Sequence, residues 1–470
     1  MSDAPLPAPT PPPADGTPRS TTPPNYAARR MLVTTVAIMA VVAFAVIAWT
    51  VVRGDDDSPD GGRGSWEQIA LVDPTSGDVV TVDRDAEVVS TSTGLGRVTH
   101  AHAIGDRTAL IGTTQIVLHG GDEQTAIPVD RSDTVTPIRT PDTLHLILGD
   151  ANGGDVIIVD VLTGEQLDIG ALAAQAEPLI FTNALMFAET VRWSADATSF
   201  AVADASSFQT VVVQSGSTDV AFFGSQPVAL SDEIVVTSQT IGGQADIEML
   251  DYERDSKARV PTPIPAGGVI VDGRLVMVSI DGGVYRVEDG ATEAEELGQV
   301  AVPSDGTVAW VHPTFDGERL VVAGPTFEAV IDLEGETIFT TTFTSAVDPA
   351  TPHPEWRCLP VGGDDSYHSL VALETGDQLA DLSGVEVIGT SADGCTVLGE
   401  RAGIIEVTDA DGTVSLGQAR SAALAPDGRT VVRTTTDGTT ELVRIDDDGE
   451  IGDTVELTAA PSNPIVAFLD

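Results

Sequence analysis

A single lysine, Lys257, stands in 470 residues. Basic residues number 23 against 72 acidic ones, for a formal net charge of −49. Such a surface repels phosphate backbones and anionic lipids, which excludes a nucleic-acid-binding role. Aromatic residues make up only 4% of the chain. Cysteine occurs twice, as Cys358 and Cys395, so no lipid attachment through cysteine is available near the N-terminus. The G-x-S-x-G elbow, the Gly-Lys-Ser/Thr phosphate loop, H-E-x-x-H and the dinucleotide fingerprint are all missing. Sustained helical spacing is scarce. Its best short candidates, "GALAAQAE" (170–177) and "ATEAEELG" (291–298), read as loops or single turns.

What is present is a hydrophobic fraction of 42%, enough for a packed core despite the acidity. Heavy use of Ala, Val, Asp, Gly, Thr and Arg is the composition expected of a high-GC bacterium of actinobacterial type. Residues 1–30 carry nine prolines and read as a disordered Pro-rich cytoplasmic tail. Residues 31–52 are 22 positions without a charge. At about 1.5 Å per residue they span roughly 33 Å, the thickness of a hydrocarbon core. The long tail ahead of this run favours an uncleaved signal-anchor over a cleaved leader. Arg29 and Arg30 precede the span and Asp55, Asp56 and Asp57 follow it, which predicts a cytoplasmic N-terminus and an extracytoplasmic C-terminal part. Residues 53–65 read as an acidic flexible linker. Only two acidic and four basic residues lie in the first 53 positions, so nearly all of the negative charge belongs to residues beyond the anchor.

From residue 66 to 470 one kind of segment recurs: a mostly apolar run of four to six residues, often closed by Asp or Glu and a Gly turn. Ten copies begin at positions 69, 115, 156, 211, 247, 283, 328, 369, 404 and 441. A period near forty with about four strands per unit is what a propeller blade requires. Within 384–417 and again within 418–457, four short runs are separated by tight Gly-containing turns. Asp-Gly pairs mark these turns because glycine accepts positive φ freely and aspartate tolerates it.

The junctions "SAALAPDGRTVV" (421–432), "EVIGTSADGCTVL" (386–398), "VHPTFDGERLVV" (311–322) and "VRWSADATSFAV" (191–202) resemble the S-P-D-G repeat of TolB-like and WD-repeat-like β-propellers. The resemblance covers most of 66–470. It implies an all-β propeller fold and no particular activity; the ten modules counted correspond to seven to ten blades. The chain ends agree with it: "SNPIVAFLD" (462–470) looks like an opening strand with nothing after it. "WEQIALVDPTSGDVVTVD" (66–83) looks like later strands with no opening strand before them. A blade shared by the two ends would make a single closed ring, and two smaller rings are the alternative.

Candidates for chemistry are few. Cys358 and Cys395, 37 residues apart, are expected to form a structural disulfide in an oxidising compartment. Equivalent positions on neighbouring blades strain the limit of about 7 Å between Cα atoms, so the pairing stays open. A catalytic thiol is the rival, with His353 and His368 flanking Cys358 in sequence. His100 and His102 fall on one face of a strand and are weak metal candidates against the reading of ordinary strand histidines. "DANGGD" (150–155), "DADG" (409–412) and "DDDGE" (446–450) bring carboxylates together. Each departs from the calcium-loop spacing and sits where a hairpin turn belongs. Apart from that calcium option, no cofactor is expected. Thr10, Thr17 and Thr22 each precede a proline in the tail.

The expectation for function is a membrane-anchored extracytoplasmic propeller that binds or scaffolds a protein, a peptide or a cell-envelope ligand. A propeller hydrolase or lyase using channel carboxylates is one rival. A sensor coupled to a cytoplasmic partner of the tail is the other.

Overall fold

A strand whose two faces are both covered by neighbouring sheets can be apolar along its whole length. The chain builds such strands repeatedly. The computed structural model describes residues 66–469 with interruptions, the longest at 169–191 and 344–355. The tail, the apolar span and the linker expected over 1–65, together with "DANGGD", "GALAAQAE" and His353, lie outside the described residues. Among the described residues no helix is long and apolar enough to cross a membrane.

The described residues form ten antiparallel sheets, nine of four strands and one of three. Sheets 2 to 10 follow chain order, spanning Val98–Pro128, Thr134–Asp168, Arg192–Phe223, Gln226–Thr262, Pro265–Gln299, Trp310–Thr342, Cys358–Asp381, Glu386–Gly417 and Ala419–Glu456. Within each, every strand pairs with the next in sequence. Sheet 8 is the three-stranded one and follows the undescribed segment 344–355. Sheet 1 is assembled differently: Gln68–Val72, Val79–Asp83 and Val88–Ser92 are joined by the last strand, Ile465–Leu469. Gln68 pairs with Leu469 and Val72 with Ile465, so the two ends of the described chain share one sheet. This is β-propeller-like organisation.

Core residues alternate between neighbours. Ile69 and Leu71 pack with Ala425, Val432 and Leu442 of sheet 10, whereas Ala70 and Val72 pack with Val98, Leu110 and Val117 of sheet 2. Equivalent apolar clusters join sheets 2 and 3 and each successive pair from 4 and 5 to 9 and 10. Between sheets 3 and 4, the His145 ring meets the edge of Phe200 at 5.1 Å.

The D-G turns do more than reverse the chain. Gly428 has φ +69°, and a Cβ there would lie 2.6 Å from Thr396 Oγ1 of sheet 9. In the same turn, Asp427 accepts hydrogen bonds from the N–H groups of Arg429 and Thr430 through one oxygen. Its other oxygen accepts from the Trp66 indole at 2.6 Å, tying sheet 10 to the start of sheet 1. Trp66 is buried, packs on Phe468 at 5.6 Å and lies under the Arg84 guanidinium. In sheet 9 the Asp393 carbonyl accepts from Arg357 and Cys358 of sheet 8.

One detail differs from the sequence reading, and one pairing that it expected but left open is formed. "ATEAEELG" ends in the strand Glu295–Gln299, which pairs through a bulge at Val284–Tyr285. Cys358 and Cys395 are disulfide-bonded with a Cα separation of 4.8 Å. The distance is short because the positions are not equivalent: Cys358 opens a strand, and Cys395 follows the Asp393–Gly394 turn that reaches back to it. In the chain-entropy view, closing a loop of this length stabilises by about 3–4 kcal/mol. A Cys358→Ser/Cys395→Ser chain is expected to lose that much in urea unfolding, with a somewhat larger m-value because the unfolded chain is no longer cross-linked. An unaltered midpoint would show that the bridge adds nothing to stability.

Candidate functional site

The opening strands of several neighbouring sheets approach one another, and these strands differ sharply in accessibility. In sheets 5, 6 and 7 they are Gln226–Leu230, Pro265–Val271 and Trp310–Pro313, and they are mostly buried. The short strand Arg192–Trp193 of sheet 4 closes against them, touching both Gln226–Leu230 and Trp310–Pro313. Arg192 donates from Nη2 to the Ala266 carbonyl at 3.1 Å. Gly317, beyond Trp310–Pro313, leaves no room for a Cβ beside Ala195.

The opening strands of sheets 9, 10, 1 and 2 are open instead. Glu386–Thr390 and Ala419–Leu424 contain no buried residue. Ile465–Leu469 is half-buried, and Val98–Ile104 has one buried residue followed by exposed Thr99 and His100. Glu386, Ile388 and Arg420 are exposed on this lining, and a Cβ on Gly389 would meet nothing within 4 Å. Ser421 Oγ donates to Asn463 Oδ1 at 2.9 Å, joining sheet 10 to the residues leading into Ile465–Leu469. The lining therefore offers an apolar side chain, a carboxylate, a guanidinium and imidazoles over four adjoining sheets.

Groups with displaced ionisation lie elsewhere. His312, in the opening strand of sheet 7, is buried, and neither ring nitrogen has a hydrogen-bond partner. Burial, reinforced by the nearby Arg192 charge, pushes its pKa down to about 3. Burial also pushes Arg192 down to about 10. Glu328, in the third strand of sheet 7, is 1% exposed. One of its oxygens accepts from the Gly362 N–H of sheet 8 at 2.9 Å, and the other has no partner. Burial pushes its pKa up to about 8, partly opposed by that hydrogen bond. His145 is held below the usual imidazole range by burial, opposed by Asp160 4.0 Å away. Sequence reasoning missed Glu328, Arg192 and His312, because each acquires its environment from a strand 34 or more positions away.

The candidates named from sequence are scattered. Cys358 is bridged to Cys395, and His368 stacks on Phe343 at 5.4 Å. "DADG" and "DDDGE" are hairpin turns: Asp409 accepts from the Asp411 and Gly412 N–H groups, and Asp446 accepts from Glu450. A protein cation already stands between them. Arg429 Nη2 lies 3.9 Å from Asp409 and 3.7 Å from Asp411, and Nη1 donates to the Asp446 carbonyl. His100 and His102 lie side by side with parallel rings, and among the described residues no group of three metal-ligating side chains forms.

No family model matches the chain, and no curated protein matches it. Among solved structures, a eukaryotic initiation factor is similar at 12% identity and TM-score 0.42, covering 84% of this chain and 96% of its own. The C-terminal WD40 domain of Sif2 aligns at 10% identity and TM-score 0.37 over 74% of this chain and 96% of that one. Apo AztD from Citrobacter koseri aligns at 9% identity and TM-score 0.37 over 86% and 98%. At such values a likeness carries no activity, ligand or partner over to this chain.

The two buried groups of sheet 7 tilt stability in opposite directions. Glu328 holds its proton more tightly when folded, so its contribution is complete below pH 4.5 and falls as pH rises towards 8. His312 resists protonation when folded, so its contribution is complete above pH 6.5 and falls as pH drops towards 3. At about 1.4 kcal/mol per unit, Glu328→Gln is expected to raise unfolding free energy near pH 7.5 by on the order of 3 kcal/mol and to flatten the alkaline limb. His312→Gln is expected to flatten the acid limb only. Urea unfolding from pH 5 to 9 checks both, and profiles parallel to the parent chain would refute the assignments.

Proposed function

We propose that the chain is a single-pass, membrane-anchored extracytoplasmic β-propeller that binds or scaffolds a protein, a peptide or a cell-envelope ligand. Its sheets make one closed ring, completed by the sheet that the two ends share. The charge-free run 31–52, with Arg29 and Arg30 before it and acids after it, supports the anchor and its orientation. The Pro-rich tail stays inside as a spacer or docking segment.

The observation that carries a binding role is the contrast between the opening strands. Those of sheets 4 to 7 close on one another, while those of sheets 9, 10, 1 and 2 leave a continuous accessible lining. Ile388 is 44% exposed on that lining, where a core-facing role would have buried it. An apolar anchor among dispersed charges is the make-up of a recognition surface. The strong negative charge favours partners with basic segments and speeds their encounter.

Two measurements test this reading. Protease added to intact cells is expected to degrade the propeller and spare the N-terminal tail; loss of the tail with the propeller protected would reverse the orientation. Capture of envelope components by the chain is expected to fail with Ile388→Asp and to survive Val88→Asp, which lies on the outermost strand of sheet 1. Equal capture by both variants would remove the lining from the account.

A further inference from the structure

The strand Val98–Ile104 opens sheet 2 on the accessible lining, and it is irregular. Its pairing with Arg107–Gly112 shifts register between Val98 and His100, so Thr99 is the extra residue of a bulge. A bulge re-aims the side chains around it. Here it brings the Thr99 hydroxyl within 3.1 Å of His100 Nδ1. That hydroxyl donates its single hydrogen to the Ile111 carbonyl at 3.0 Å. Towards His100 it can therefore only accept. His100 Nδ1 carries the ring proton, and Nε2 presents a lone pair.

His102 follows on the same face. The two rings are parallel within 4° and their centroids are 6.4 Å apart, close to the rise of two strand residues at about 3.3 Å each. Imidazoles two residues apart on one strand face can turn about their side-chain bonds to bring two nitrogens onto one ion at about 2.0–2.1 Å. An imidazole whose other nitrogen is held by a hydrogen bond is the usual form of a metal-ligating histidine.

We propose that His100 and His102 chelate a divalent transition-metal ion with imidazole preference, such as Zn(II), Ni(II) or Cu(II), and that Thr99 is the positioning residue that fixes the His100 tautomer. The ion keeps open positions, which water fills. Imidazole nitrogens select these metals over Ca(II) and Mg(II), which prefer oxygen. The acidic surface raises the local cation concentration without supplying the selectivity. The inference stands on the geometry of this strand and does not depend on the proposed binding partner.

The test is calorimetric titration of the full chain with Zn(II), Ni(II) or Cu(II) in excess Ca(II), which occupies surface carboxylates. One ion per chain is expected, with Cu(II) bound most tightly. His100→Ala and His102→Ala should each abolish calcium-resistant binding, while His119→Ala, on another strand of sheet 2, should retain it. Thr99→Val should weaken binding by about tenfold or more, and Thr99→Ser should restore it. Binding should weaken on acidification, because protons compete with the ion for the ring nitrogens. Retained melting curves establish that each variant is folded. Binding that survives either histidine substitution, or that is indifferent to Thr99→Val, would overturn the proposal.

Discussion

The pairing of Gln68–Val72 with Ile465–Leu469 is the constraint on which the rest depends. Every other sheet is made from consecutive residues and can form locally. Sheet 1 needs strands almost 400 residues apart, and the sheets beside it bury their apolar faces against it. Without the last strand, Gln68–Val72 would present an unpaired edge, and Ala467 and Leu469 would leave the cluster shared with sheet 2. Trp66 reinforces the same place, since its indole reaches Asp427 in the last complete sheet while its ring packs on Phe468. Closing so long a loop costs entropy only logarithmically in its length, so one well-packed sheet can hold it.

Burial of strands on both faces explains where the charge goes. Alternate residues of a strand point to opposite neighbours, and both must be apolar, which leaves turns and outer strands to carry the acids. The most strongly displaced of the buried exceptions sit in sheet 7. Glu328 and His312 are kept neutral inside it, and each gives up stability over part of the pH range. Glu328 still ties sheet 7 to sheet 8 without an ion pair, through the hydrogen bond that it accepts from Gly362.

Much of the architecture was legible in the sequence because it is periodic. The apolar runs beginning at 115, 156, 211, 247, 283, 328, 404 and 441 are the third strands of their sheets, and D-G turns mark the hairpins between strands. The run at 69 is a second strand, displaced in order because its opening strand comes from the other end of the chain. Features that depend on distant partners were not legible. The approach of Cys358 to Cys395 depends on a turn folding back between sheets, and the bulge at Thr99 follows from pairing register rather than from any residue type. The contrast between closed and open opening strands is likewise a property of how sheets meet. It has no counterpart in the repeat, whose units look alike in sequence.

Native-state hydrogen exchange of the intact chain tests the central claim most directly. The amides of Ile465–Leu469 that bond to Gln68–Val72 are expected to exchange as slowly as those of Gln68–Val72 and Thr430–Thr435, through global unfolding alone. Exchange of the last strand at the rate of a fraying terminus, with its neighbours still protected, would contradict the account.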